Sequence, residues 1–302
     1  LRAQSLARLS KEGAVRRIIV SMGSTDPDDV TSRVLSAIGH SGVNAEVDVV
    51  LGSGAPHRER VKAALLPQMR LHIDPPGYPS LVAEADLAIG AAGSSSFERA
   101  VLGLPSLLVQ TAENQMFNIA AFVNAGAANI VPPALLDDPL MFGQFIAALA
   151  ADLPRRIALS SAAARLTDAR GSSRLMAAMA GSVTTALGVS VRLRLVEPED
   201  EDWLLEVQRQ TGTRQYFHDP AVPTAEQHRA WMRRTLDDVS VFFAVVEADG
   251  QSAGSIRLDR VDDKENLRYE VSIVLDASHR QAGIGAAALA LDRKSTRLNS
   301  SH

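Results

Sequence analysis

Between about Arg16 and Pro133 short apolar runs alternate with amphipathic stretches, and Gly, Pro or Asp closes most of them. This alternation constrains the fold more than any other feature. Runs of this length read as strands and the stretches between them as helices, which together make a parallel sheet covered on both faces. Arg17–Met22, Glu46–Leu51, Arg70–Ile73, Asp86–Ile89 and Pro105–Val109 read as strands. Asp28–Ile38, His57–Leu66, Tyr78–Ala85, Ser95–Leu102 and Gln115–Ala125 read as the helices that separate or follow them. In such a sheet a ligand sits at the carboxyl ends of the strands, in the loops that lead into helices.

The pattern then changes twice. Residues 138–186 are rich in Ala and Leu, carry no strand signal and read as two or three helices, with a boundary near Gly188. From Ser190 the period becomes that of a half-buried strand, in Val191–Val196. A helix starting at Pro198 has acidic groups where its dipole favours them, and Ala225–Leu236 is a second helix. Val241–Glu247 and Ser252–Leu258 flank Asp249-Gly250, a hairpin turn, and Tyr269–Leu275 is a further strand. Arg280-Gln-Ala-Gly-Ile-Gly then leads into the apolar helix start Ala286–Leu291. The last ten residues, 293–302, break that helix into a polar string; they resemble a translated adapter sequence and are set apart as a non-native tail.

At 302 residues the chain is long enough for two domains of roughly 100–200 residues each. Cysteine is absent, which excludes disulfides, a thiolate nucleophile and thiolate metal sites. The histidines are scattered with no metal-ligand spacing, so no structural zinc is expected. A formal net charge of -4 without a basic block gives no nucleic-acid footprint. No run approaches the ~20 apolar residues of a membrane span, and the first residues have no signal-peptide core. A cytoplasmic location is therefore expected. The chain begins at Leu1 rather than Met, so further residues upstream are expected as well.

Three loops of the first region carry chemistry. In Ser21-Met-Gly-Ser-Thr-Asp-Pro, Gly23 permits a tight turn and it and Ser24 can aim N–H groups at an anion. In Gly90-Ala-Ala-Gly-Ser-Ser-Ser-Phe-Glu, a glycine-rich turn that includes Gly93 runs into a helix N-terminus, which favours phosphate. Ser94 and Ser95 can add hydroxyl donors, and the acceptor-only carboxylate of Glu98 suits a ribose diol. Glu113, Asn114 and Gln115 form a polar cluster after a strand, fit for sugar hydroxyls and amides. Each piece has a plainer reading. The glycines serve equally as tight turns, the serines as caps, Glu98 as a dipole partner and Glu113–Gln115 as a capped loop. Their order along one sheet edge is what strengthens the functional reading.

Over about residues 14–135 these motifs, with Ala85-Asp-Leu-Ala-Ile-Gly and Gly103-Leu-Pro-Ser, resemble the C-terminal half of a UDP-sugar hydrolase family. These are the UDP-2,4-diacetamido-2,4,6-trideoxy-β-L-altropyranose hydrolases of the pseudaminic acid pathway. The resemblance implies the Rossmann-like C-terminal domain of a GT-B fold over residues 16–187, with 1–15 a linker remnant. It implies a diphosphate near Gly23, Ser24, Ser94 and Ser95, a ribose at Glu98 and a sugar near Glu113–Gln115. Ser24 and Ala92 stand where that family often has glycine. The base on the attacking water belongs to a preceding domain in that family, so this chain alone is expected to bind UDP without hydrolysing the sugar nucleotide. Two rivals remain: a UDP-sugar glycosyltransferase of the same fold, and a non-catalytic sugar-nucleotide-binding module.

The second region offers Arg280-x-x-Gly283-x-Gly285 between a strand and an apolar helix. Glycines there let successive N–H groups face a diphosphate, and Arg280 can add charge-assisted bonds. The motif, with Gln281 and Ile284, comes after strand, helix, helix, hairpin and strand, and so resembles the pyrophosphate loop of the GNAT acetyltransferases. The resemblance covers about residues 190–292 and implies an α+β domain that is incomplete at its last strands, with acetyl-CoA as its cosubstrate. The part of the sheet left exposed is expected to be poorly stable. Glu270 is a candidate base for the acceptor amine, or equally a solvated strand residue. Tyr216, Phe217 and His218 are candidates for the acceptor pocket, or for packing under a loop. A sugar N-acetyltransferase and a UDP-sugar hydrolase act consecutively in the pseudaminic acid route, which makes their fusion chemically sensible.

Overall fold

A computed structural model describes residues 13–299 except Tyr216, His218, Val239, Lys264 and Glu265. The chain divides into two compact units, Leu1–Asp168 and Ala169–His302.

The first unit holds a six-stranded, wholly parallel sheet: β1 (Arg17–Ser21), β2 (Glu46–Leu51), β3 (Met69–Ile73), β4 (Leu87–Ala91), β5 (Ser106–Val109) and β6 (Asn129–Ile130). Their order is β3-β2-β1-β4-β5-β6, the doubly wound arrangement expected from the alternating runs. The connecting helices are α1 (Val30–Ser41), α2 (Arg58–Ala63), α3 (Tyr78–Glu84), α4 (Ser95–Val101) and α5 (Met116–Asn124). After them come α6 (Pro139–Ala151) and α7 (Leu153–Leu166). These two helices begin at Asp138 and Asp152, whose carboxylates accept from the backbone N–H of Met141 (3.0 Å) and Arg155 (2.9 Å). Each cap is followed by a proline within the first turn, where its missing N–H costs nothing. One face of the sheet packs Ile18, Val20, Val47 and Val49 against Val34, Leu35 and Phe142. The other packs Ile19, Val50 and Ala88 against Val82, Leu102 and Leu104. That second face also buries Asp48, which meets His72 Nε2 at 2.7 Å and Arg17 Nε at 3.3 Å.

The second unit is α+β. Helix α8 (Gly171–Ala180) leads into a five-stranded antiparallel sheet in the order β11-β10-β9-β8-β7. Its strands are β7 (Ser182–Thr184), β8 (Ser190–Leu195), β9 (Phe242–Ala248), β10 (Gln251–Asp263) and β11 (Asn266–Leu275). Helices α9 (Glu201–Arg209) and α10 (Ala225–Asp237) separate β8 from β9, and α11 (Ile284–Asn299) follows β11. Asp249 and Gly250 both take positive φ, 50° and 82°, the geometry of a tight hairpin.

Three features depart from the sequence reading. The sequence predicts two or three helices and no strand over residues 138–186, yet Ser182–Thr184 pairs with β8, and the structure groups 169–187 with the second unit. Three residues are too few for an alternation to register. Strand β10 continues past Leu258 to Asp263 because its ladder with β11 runs on to Asp263 opposite Asn266. The helix that the polar string was expected to break continues to Asn299 in backbone form.

Candidate functional sites

In the first unit, β1 and β4 are central neighbours, with Ser21 opposite Gly90 at their carboxyl ends. The chain leaves β1 towards β2 and leaves β4 towards β5, so a crevice opens between the two departing loops. Gly23, at φ 99°, turns the first loop, and the N–H of Gly52 donates to Ser24 O at 2.9 Å and fixes its position. Among the described residues the backbone N–H groups of Gly23, Ser24, Gly93 and Ser94 have no acceptor. These four amides lie on the two loops that leave the carboxyl ends of β1 and β4, with donor capacity unused among the described residues.

The N-terminus of α1 is already filled. Buried Asp26 accepts from the N–H of Val30 at 3.0 Å and of Thr31 at 2.9 Å. Two amides of the α1 N-terminus are thereby taken, and the amides without an acceptor on the β4 side are those of Gly93 and Ser94 among the described residues. Sequence reading passed over Asp26, although Asp is a strong capping type just ahead of a helix. On the β4 side, Ser96 is buried and spends its hydroxyl on Gly93 O at 2.5 Å, whereas Ser94 and Glu98 are exposed and Ser95 is half-buried.

The third loop is braced against the second. Gln115 Oε1 accepts from Thr111 N at 3.0 Å, and its Nε2 donates to Thr111 Oγ1 at 2.9 Å. That Nε2 lies 3.9 Å from where a Cβ on Gly93 would stand. Asn118 Nδ2 donates to Ala92 O at 2.9 Å. Glu113 and Asn114 are exposed beside it. The sequence-predicted residues of this unit thus gather on one sheet edge, with Gln115 partly occupied by its own loop. A cavity of about 730 Å3 lies instead at the opposite edge, lined by Arg16, Arg17, Glu84, Asp86 and Arg156, where charged side chains brace the strand starts.

In the second unit the segment after β11 turns twice through positive φ, at Gln281 (68°) and Gly283 (75°), before α11 begins at Ile284. Gly285 lies in the first turn of that helix, so this loop and helix start present backbone N–H groups in succession. Arg280 does not point into the turn. Its guanidinium donates to Thr213 Oγ1 (2.7 Å), Leu275 O (3.3 Å) and Thr211 O (3.5 Å). Gln210 makes a parallel link, donating to Asp276 Oδ2 at 2.6 Å and accepting from Ala277 N at 2.7 Å. The α9–α10 connection is thereby tied to the turn. The Ser278 hydroxyl, then the Gln210 amide, hold the Asp276 carboxyl down at about 2 against burial. Neither Gln210 nor Asp276 carries a sequence signal, because their partnership spans distant segments.

Glu270 is exposed on β11, opposite Asp259 of β10, and Arg257 ion-pairs with Asp259 at 2.7 Å. Phe217 lies under the guanidinium of Arg214, 4.6 Å from ring centroid to Cζ. Tyr216 and His218 lie outside the described residues. Among the described residues no group of three His, Asp or Glu side chains is placed to hold a metal, and no helix is long and apolar enough to cross a membrane.

Residues 190–293 match the family described as Acetyltransferase (GNAT) domain. The chain therefore carries a GNAT domain in its C-terminal part. Its other part is similar to the spore coat polysaccharide biosynthesis protein SpsG of Bacillus subtilis (strain 168), 28% identical over 167 residues, 54% of this chain and 49% of that protein. The chain thus spans about half the length of this curated relative. Among solved structures, the spinosyn rhamnosyltransferase SpnG with spinosyn aglycone is similar at 22% identity and TM-score 0.43, over 54% of this chain and 43% of that one. MurG of Acinetobacter baumannii is similar at 19% identity and TM-score 0.42, over 54% and 48%.

Proposed function

We propose that the first unit holds the UDP moiety of a UDP-sugar and that the second transfers acetyl from acetyl-CoA to an amine, in the building of an amino sugar. The observation that carries the first half is the shared carboxyl edge of β1 and β4, where the backbone N–H groups of Gly23, Ser24, Gly93 and Ser94 have no acceptor among the described residues and Ser94, Ser95 and Glu98 sit at the N-cap and in the first turn of α4. There the diphosphate takes the N–H groups of Gly23, Ser24, Gly93 and Ser94, and the ribose diol donates to Glu98. The sugar lies towards Glu113, Asn114 and Gln115. The similarity to a polysaccharide biosynthesis protein supports a sugar nucleotide over other diphosphates. In the complete reaction, water attacks the anomeric carbon, the bond from that carbon to the phosphate oxygen breaks, and UDP leaves, as in the pseudaminic-type hydrolases. The residue that takes the water's proton is assigned to a part of the protein outside these two units.

In the second unit the turn at Gln281–Gly283 and the start of α11 at Ile284 and Gly285 fit the diphosphate of CoA. The amine nitrogen attacks the thioester carbonyl directly, the carbon–sulfur bond breaks and the thiolate of CoA leaves. Glu270 takes the proton from the amine, directly or through water. Calorimetric titration with UDP tests the first half. We expect one site, weakened by about 1–3 kcal/mol in Glu98→Ala, as for a lost hydrogen bond to a charged group. A folded protein in which Glu98→Ala binds UDP unchanged sinks the assignment of the ribose to Glu98. A folded protein that binds no UDP sinks the site.

A further inference from the structure

Arg99 is a fully buried cation with almost no partners. It sits in α4 at 1% exposure, and its Nη2 donates to Ala91 O at 2.7 Å. Nε and Nη1 have no hydrogen-bond partner. Among the described residues no carboxylate forms an ion pair with it. Burial presses the guanidinium's pKa down, while the neighbouring Tyr78 hydroxyl, by charge and by side-chain hydrogen bonding, and then the Glu98 carboxylate favour the charged form. Taking an unpaired charge out of water is expensive, and proteins ordinarily pair it or remove it.

The position of this charge is informative. A Cβ on Gly90 would stand 2.8 Å from both Arg99 Nη1 and Ser21 O. Gly90 and Ser21 face each other at the carboxyl ends of β4 and β1. The guanidinium therefore lies immediately beneath the point where the two loops part, and its one good bond holds the carbonyl of Ala91 in the β4 exit. The absence of a side chain on Gly90 is what admits it there.

We infer that Arg99 is the fixed countercharge of the diphosphate site: a positioning residue that holds the β4 exit and supplies, from beneath the crevice, the positive charge a bound diphosphate balances. The inference rests on the UDP reading of this crevice. A buried charge acts through low-dielectric surroundings, so its pull on an anion above it is screened far less than that of a surface lysine.

Arg99→Met, which keeps length without charge, is titrated with UDP, inorganic pyrophosphate and uridine, and its thermal unfolding is followed without ligand. The expected result is a loss of UDP and pyrophosphate affinity on the order of tenfold or more, with uridine unchanged. The unliganded variant is expected to melt no lower than the wild type, since removing an unpaired buried charge relieves a cost. Arg99→Lys retains more diphosphate affinity than Arg99→Met. A variant that melts lower and binds UDP as before assigns Arg99 a merely structural role and overturns the inference. Failure of both Arg99→Met and Arg99→Gln to fold overturns it too, because the charge would then be needed without ligand. A wild type that binds neither UDP nor pyrophosphate removes the UDP reading itself, whereas binding that is equal in wild type and variants removes only the role of Arg99.

Discussion

Both units carry a glycine turn that the proposed function assigns to a diphosphate, yet they treat the nearby arginine in opposite ways. In the second unit Arg280 is spent on three oxygens of its own protein and serves as a brace between the turn and the α9–α10 connection. In the first unit Arg99 lies under the crevice with one acceptor and two idle donors. Position in a motif therefore does not say where a cation's charge is used; the oxygens around it do. An arginine satisfied by backbone carbonyls and a hydroxyl orders loops, while one left short of acceptors in the interior is costly, a cost that the inferred diphosphate would offset.

The contrast can be broken most forcefully at Gly90. Gly90→Ala forces a Cβ to within 2.8 Å of Arg99 and of the Ser21 carbonyl, so one of them shifts. We expect a loss of about 1–3 kcal/mol in stability, as for overpacking, together with loss of UDP binding; denaturant unfolding and calorimetry check the two parts. Asp26→Ala follows. It removes the cap that takes two amides of α1 and should cost about 1–2 kcal/mol. It also leaves α1 open to anions, so inorganic phosphate should stabilise the variant more than the wild type in thermal unfolding. An equal response in both would show that the α1 terminus is not a latent competitor of the β4 loop.

In the second unit Gln210→Ala should cost about 1 kcal/mol, the ordinary net worth of a hydrogen bond, and weaken acetyl-CoA by freeing the turn. A variant with unchanged acetyl-CoA binding would show that the brace serves stability alone. The smallest effect is one of pH. Asp276 has a folded pKa of about 2, below the usual carboxylate value of about 3.9. Its contribution is therefore complete above about pH 4 and is lost as pH falls through about 2. Unfolding measured across that window should show a decline in the wild type that is smaller in Asp276→Asn.

Much of this architecture was legible in the sequence for a physical reason. Parallel strands covered on both faces are mostly apolar runs, and Glu46–Leu51 is legible with the bounds the structure gives it despite its buried Asp48. What stayed hidden depends on distant partners or short length. Strands β6 and β7 are too brief to show a period. The extension of β10 to Asp263 is held by its ladder and not by its polar residues. The gathering of Gly23, Gly93 and Gln115 on one edge followed from topology alone, and so could be anticipated. The isolation of Arg99 could not, because nothing in Phe-Glu-Arg-Ala says that no carboxylate will meet the guanidinium. Burial of a charge without a partner is a property of the assembled interior.

In the proposed function a nucleoside diphosphate is held by the amides of the loops that leave β1 and β4. Hydrogen exchange of the wild type with and without UDP reads those amides directly. Gly23, Ser24, Gly93 and Ser94, which have no acceptor among the described residues, should gain protection when UDP is bound, while Val30 and Thr31, already held by Asp26, should not change. UDP binding that leaves those four amides unprotected, or that protects a different edge of the sheet, would contradict it.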